Sequence, residues 1–564
     1  MADDLPRRCD GLVEPEENAQ VFREILAAPP FPSEPRYGRR VKSSGLLVAL
    51  LLGLAPVPGH AAQILHRQLE GEPETLDPPK STSVYDAAVE ADLFEGLVIL
   101  GANETVLPGA AESWELAPDG VTYTFHLRKD ARWSNGEPLT ARDFVYAWRR
   151  VVDPATAAGD LDPVGLLVNA HEINSGKITD PAKLGVEAVD DHTLRAVTAT
   201  PVQTFVKQCS YRFAYPVHQA TLERWGKAWT QPGHIVSNGP FVMKSWVPQS
   251  AIVLARNPTY WNVSAIKLDE VDHMVVAQEA TSLKLFRSGE LDFIKAPTKE
   301  VPGLLSSRDE ALRTGKDNNM AYLFFNMKTG VLAEDHRLRE ALALVFDPTV
   351  IAEKVMPRGQ QPAYSWVPPT VLDYTRQEPS YVRMSMPERI DRARQLYAEA
   401  GYGPDHPLHL TVNYGTYEDT KTLLLVAAQM WKQALGVEVQ LENEEFQIFL
   451  ERTRRGDFQI GALAWRGGLR DPDSFLQIWE SDKVNFNSAH YANPKVDALL
   501  KTAASTFDPG ERRELYQRAE RMIVDDVPGI PVEFRAVNAL VNPKLEGWDN
   551  DRLVPESRFL SFRE

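Results

Sequence analysis

Cysteine is almost missing from this chain: 564 residues contain two, Cys9 and Cys209. Neither stands in a CxxC or in a Cys/His metal spacing. Cys9 lies in an N-terminal segment expected to be removed, and Cys209 alone cannot close an internal disulfide. A small buried hydrophobe is the expectation there. Basic blocks are missing as well. The 61 Lys and Arg face 78 Asp and Glu, a formal net charge of −17, which argues against nucleic acid or an anionic membrane surface as partner. No GxSxG, HExxH, GxxxxGK[ST] or strand-following GxGxxG occurs. Pro404 and Pro407 keep His406 and His409 off a shared helix face, so no metal or cofactor is expected. The acidic stretch ENEEFQIFLERTRRGD reads as a solvated helix face.

Long apolar runs are scarce too. Leu46 to Leu54 is too short to span a bilayer. It follows Arg39, Arg40 and Lys42 and precedes Gly59-His60-Ala61, the layout of an export signal over residues 38–61. Residues 1–37 then read as an upstream extension, and 1–61 are set aside from the fold. No cysteine follows the apolar run, so a lipid anchor at the cleavage site is not expected. The exported chain is expected in the periplasm.

What is present is a soluble mixture of helix and strand, 43% hydrophobic and 25% charged, long enough for two or three domains. Tyr123, Phe125 and Leu127 alternate with polar residues, the period of a half-buried strand. Thr140 is placed to cap a helix whose Phe144, Ala147, Trp148 and Val151 share one face. Asp347-Pro348 and Asp508-Pro509 each put a capping carboxylate before a proline at the first helical position. Asp419 opens a long helix ending near Gly436, followed by the alternating strand residues Val437, Val439 and Leu441. No repeat or Gly/Ser linker separates domains, which suggests domains joined by several strands and moving about a hinge.

Between Leu76 and Arg150 the chain reads LDP (76–78), LFEGLV (93–98) and LPGAAESWELAPDGVTYTFHLRKDARWSNGEPLTARDFVYAW (107–148). Further on come DDHTLRAV (190–197), NPTYW (257–261), FRSGELDF (286–293), HRLREALAL (336–344), LYAEAGY (396–402), LGVEVQLENEEFQIFLERTRRGDF (435–458) and GIPVEFRAVNALVNP (529–543). In this order they resemble the extracellular solute-binding proteins of the oligopeptide/dipeptide/nickel transporter family, most of all the oligopeptide-binding branch. The resemblance implies an α/β fold, a periplasmic-binding-protein type II-like clamshell with two lobes and an additional inserted domain. It implies a split domain I (62–98, 229–318 and 529–564), an inserted domain II (99–228) and a second lobe, domain III (319–528). It also implies a monomer without enzymatic activity that closes over a small peptide or peptide-like ligand and delivers it to ABC permease subunits in the inner membrane. A periplasmic sensor, a binder of a non-peptide or N-blocked anionic ligand, and an exported hydrolase are the competing readings.

Carried onto this chain, the family pattern places Ser83, Val84 and Tyr85, after an LDP strand, as main-chain partners of an extended ligand. Phe446 and Trp465 take the positions of cleft aromatics. The peptide-binding pattern continues from Trp465 through two residues to an Asp that pairs with the ligand's α-amino group, but here the fourth position is Gly468. A buried ammonium without a counter-charge is costly, so a free peptide N-terminus loses that anchor. Arg466 and Arg470 flank the gap. Either they receive an anionic or blocked group, or Arg470 pairs with Asp471 or Asp473 and both arginines face water. Another acid, such as Glu444 or Glu445, is an alternative partner for an amine.

Overall fold

Side-chain alternation translates directly into the inserted four-stranded sheet, the first element to be recognised in the computed structural model, which describes residues 62–550 and 555–563. The expected upstream extension and export signal lie outside the described residues. Tyr123, Phe125 and Leu127 line the buried side of the strand Thr122–Leu127, which pairs with Ala111–Leu116 and Thr193–Val197; Val186–Asp190 completes the sheet. The helix Ala141–Val152 starts on a Thr140/Asp143 capping box and buries Phe144, Ala147, Trp148 and Val151 completely. Cys209 is buried in the same core.

The main sheet runs through strands in the order Glu438–Glu444, His409–Gly415, Ile460–Arg466, Leu312–Phe325, Gly529–Val541, Phe293–Lys295, Ile64–Leu69, Glu270–Val275, Ala251–Arg256 and Phe241–Val247. Two long antiparallel strands, Leu312–Phe325 and Gly529–Val541, carry the path from one half to the other. Their ladder is interrupted where the halves meet: Lys316 pairs with Ala536 and Met320 with Phe534, so residues 317–319 face Arg535 alone. Such a bulge bends a strand and redirects its side chains. Beyond it, Met320, Tyr322 and Phe324 enter one core and Ala321, Leu323 and Phe325 another, the mark of a strand covered on both faces.

The predicted caps are present with one difference. Asp508 accepts the Glu511 N–H ahead of Pro509–Asp526, and the helix Glu418–Leu435 ends on Gly436 at φ +78°. Asp347 also caps, accepting the Thr349 N–H at 3.0 Å, but the turns behind it widen into a π-helical segment, Val350–Val355. LDP, expected as a strand, instead leads into the 3-10 turn Pro78–Lys80, because Pro78 and Pro79 cannot donate to a ladder.

Buried charge fastens the helix Val84–Leu93 to the first half of the sheet. Asp92 accepts from His273 Nε2 (3.0 Å) and from Ser557, and Glu95 accepts from Arg558 Nη1 (2.6 Å), Trp261 Nε1 (2.7 Å) and Tyr260. In the same helix Glu90 is wholly buried beside the Ser81 hydroxyl (2.9 Å). Desolvation pushes its carboxyl up to about 8, against the pull of the Ser81 hydroxyl and the Arg212 charge. An acid whose folded value is raised holds its proton longer folded than unfolded. Stability tied to Glu90 is therefore complete below about pH 4.5 and declines as pH rises to about 8, by at most ~1.4 kcal/mol per pH unit. Urea unfolding between pH 5 and 8.5 is expected to show this decline, and Glu90→Gln to flatten it.

Candidate functional site

The three parallel strands of the second half end together at Gly415, Glu444 and Arg466. Crevices outside the carboxyl ends of parallel strands are the usual ligand sites of α/β sheets. Here a cavity of about 470 Å³ opens at those ends, lined by Gly415, Tyr417, Phe446, Ala464 and Arg535, with Glu418 and Asp419 on the adjoining helix turn. Phe446 meets Tyr417 edge to face, centroids 5.8 Å apart. Both rings lean over Gly415, where an added Cβ would stand 2.9 Å from the Phe446 ring. Only glycine allows that approach.

The predicted residues are distributed unevenly around this cavity. Phe446 lines it. Trp465 lies on the neighbouring strand, where its indole N–H donates to the Ser474 carbonyl at 2.7 Å and its ring packs against Phe486. Ser83 is a helix cap, not part of an extended segment: its hydroxyl accepts the Asp86 N–H, and Asp86 answers to the Ser83 N–H. Val84 and Tyr85 form the first helical turn, so strand-like pairing through both of their main-chain groups is ruled out, because a helix consumes the carbonyls. Val84 stays exposed, and Tyr85 packs over Gly71.

Both arginines meet acids of the chain itself, and Arg466 stays half exposed. Arg466 grips Asp317 of the sheet bulge through both guanidinium nitrogens, Nη2 at 2.7 Å. Arg470 is almost fully buried; its main-chain N–H donates to Glu104 at 2.8 Å and its Nε stands 3.8 Å from the same carboxylate. Lys207 reaches Glu104 from the other side at 2.5 Å. Asp471 is taken instead by Arg512 in a two-pronged pair at 2.8 Å, and Asp473 accepts from Tyr516. Gly468 lies between: its carbonyl accepts the Tyr211 hydroxyl at 2.6 Å, and a Cβ there would stand 3.3 Å from that oxygen. Glu104 and the preceding Asn103 both take left-handed φ, +55° and +54°, a conformation costing non-glycine residues ~1–2 kcal/mol each. A strained turn of the inserted region is thus pressed against the 468–470 loop by buried ionic contacts.

Glu444 pairs with Arg452 through Oε1 at 2.6 Å, and Glu445 caps the helix Phe446–Arg455. Sequence reasoning missed Tyr417, Arg535, Asp317, Glu104 and Tyr211. Arg535 carried a legible signal: with Glu533 it places charge at alternate positions inside an otherwise apolar strand, VEFRAV.

A mixed sheet bridged by two long strands, with a further sheet inserted and an aromatic cavity at the strand ends, is the periplasmic-binding-protein type II-like architecture. The chain belongs to the bacterial extracellular solute-binding proteins, family 5, whose model matches residues 105–487. It is similar to the periplasmic oligopeptide-binding protein OppA of Escherichia coli, 36% identical over 531 residues, covering 90% of this chain and 95% of that one. Among solved structures it resembles the murein tripeptide binding protein MppA in its unliganded open form, with a TM-score of 0.82 at 32% identity, covering 89% of this chain and 98% of that one. Haemophilus influenzae OppA in complex with the peptide RPPGFSPFR gives 0.70, also at 32% identity, covering 89% and 99%.

Proposed function

We propose that this protein is the periplasmic substrate-binding component of an ABC importer for peptides, closing about a hinge on its ligand and presenting it to a membrane permease. The observation that carries this reading is the aromatic cavity at the strand ends, placed beside the bulge at which the two connecting strands change register. A ligand held there touches the second half and, through Arg535, the strand shared with the first, and closure is favoured to the extent that the closed form offers more contacts. The strand pairing supports a split domain I of residues 62–98, 229–318 and 529–564, an inserted domain II of 99–228 and a second lobe of 319–528. The boundary at 318/319 falls inside the bulge. The similarity to the open form of MppA, higher than to the peptide complex of OppA, supports an open arrangement for the structure described.

Phe446 and Tyr417 are the aromatics of this cavity; Trp465 on the next strand and the helix N-terminus at Ser83 and Val84 are taken as further ligand contacts made on closure. With glycine at 468 and Tyr211 on its carbonyl, a peptide amine is not held by a residue-468 side chain. Export through the signal over 38–61, without a lipid anchor, and action as a monomer complete the reading. Native mass spectrometry of protein purified from periplasm tests it: a distribution of peptide masses, lost on denaturation, is expected. Only non-peptide ligands, or binding with no defect in peptide uptake when the gene is deleted, would overturn it.

A further inference from the structure

The cleft's charges are nearly all spoken for. Asp317 is held by Arg466, Glu104 by Lys207 and Arg470, Asp471 by Arg512, Glu444 by Arg452, and Asp419 by both prongs of Arg358 at 2.7 and 3.1 Å. Arg535 differs. Of the two carboxylates whose field reaches it, Asp419 is engaged by Arg358, and Glu533 approaches its Nε to 3.7 Å, beyond hydrogen-bond length, and is itself buried and engaged by Gln360 at 3.2 Å. The Arg535 side chain is 39% exposed and forms part of the cavity wall with Phe446 and Tyr417. It stands at the ladder interruption, opposite residues 317–319, where no strand partner constrains it. Glu418, the remaining carboxylate of the lining, is exposed on the first turn of its helix.

We propose that Arg535 is a specificity-determining residue that receives a carboxylate of the ligand in this cavity. This rests on the peptide-binding reading above. A guanidinium fork matches a carboxylate with two parallel N–H donors, and its place at the bulge lets the ligand's charge join the strand shared by both halves to the aromatic wall of one. Two sources supply that carboxylate, an Asp or Glu side chain and the peptide's own C-terminus, and they are separable.

The test is calorimetric titration with alanine tri- and tetrapeptides that carry glutamate at each position in turn, their glutamine counterparts, and C-terminal amides of both. In the native protein, replacing the relevant carboxylate is expected to weaken binding about tenfold. The Glu/Gln arm reports a side-chain source and the acid/amide arm a C-terminal one. Arg535→Gln is expected to abolish that difference, and Arg535→Lys to retain part of it. Equal affinities in both arms for the native protein, or a difference undiminished in Arg535→Gln, would overturn the proposal while leaving peptide binding intact. Failure of every peptide to bind would overturn both. Should Arg535→Gln fail to fold, the native comparison and Arg535→Lys decide.

Discussion

Replacing Arg558 with methionine is expected to lower the unfolding free energy by about 3–5 kcal/mol, because removing one member of a buried ion pair leaves the other charged and unpaired. Arg558 is buried; it donates to Glu95 at 2.6 Å and to the Ala91 carbonyl at 3.1 Å, and its Nε stands 2.8 Å from Glu556. Glu95 is equally buried, and without the guanidinium it keeps only the neutral donors Tyr260 and Trp261 and the backbone around it. A surface arginine of the same chain, such as Arg142 paired with Asp191, is expected to change stability by less than ~1 kcal/mol. Urea unfolding of both variants gives the comparison. The double variant Arg558→Met with Glu95→Gln is expected to recover part of the loss, since the buried charge is then gone. A loss no larger than that of the surface variant would show that Glu95 finds another cation. The consequence runs along the helix capped by Ser83, because Arg558 holds the Ala91 and Phe94 carbonyls at its end, and hydrogen exchange along Val84–Leu93 is expected to accelerate with the loss.

The second large effect is expected at Glu104. One carboxylate there serves Lys207, the Arg470 main chain and the Arg470 guanidinium. Glu104→Ala is expected to cost about 2–3 kcal/mol, less than for a fully buried pair because Lys207 retains some contact with solvent. Part of the cost is offset, since the left-handed turn at Asn103 and Glu104 can relax once its anchor is gone. Coupling measured in a double-variant cycle with Lys207→Met is expected at about 0.5–3 kcal/mol, the range for residues sharing one network. Additive losses would show that the two side chains do not depend on each other. Tyr211→Phe removes only the hydroxyl bound to the Gly468 carbonyl and is expected to cost ~1 kcal/mol.

Several features of the site were open to reading before the fold was known, and their limits have physical causes. The motif puts Phe446 among the cleft aromatics, and its ring lines the cavity at the strand ends. The family motif makes Ser83 an extended ligand partner, whereas the Ser83–Asp86 spacing is that of a capping box, which is what the structure contains. The sequence offers Arg466 and Arg470 an anionic ligand group or, in the other alternative, gives Arg470 the nearby Asp471 or Asp473 and leaves both arginines facing water. Their actual acids lie 149 and 366 residues away in sequence.

The sequence by itself determined the alternation of Tyr123, Phe125 and Leu127, the cap at Thr140, the stop at Gly436 and, through the order of its motifs, the family. Each depends on residues a few positions apart, where helical and strand periods fix which side chains are neighbours. Only the tertiary structure decided which charges of the cleft are spent. Asp317 meets Arg466 at a bulge between long strands, Glu104 meets Arg470 across a strained turn, and Arg535 has an acid at ion-pair distance but beyond hydrogen-bond length. An ion pair is set by distance and burial in space, and those are fixed only when segments remote in the chain are packed together.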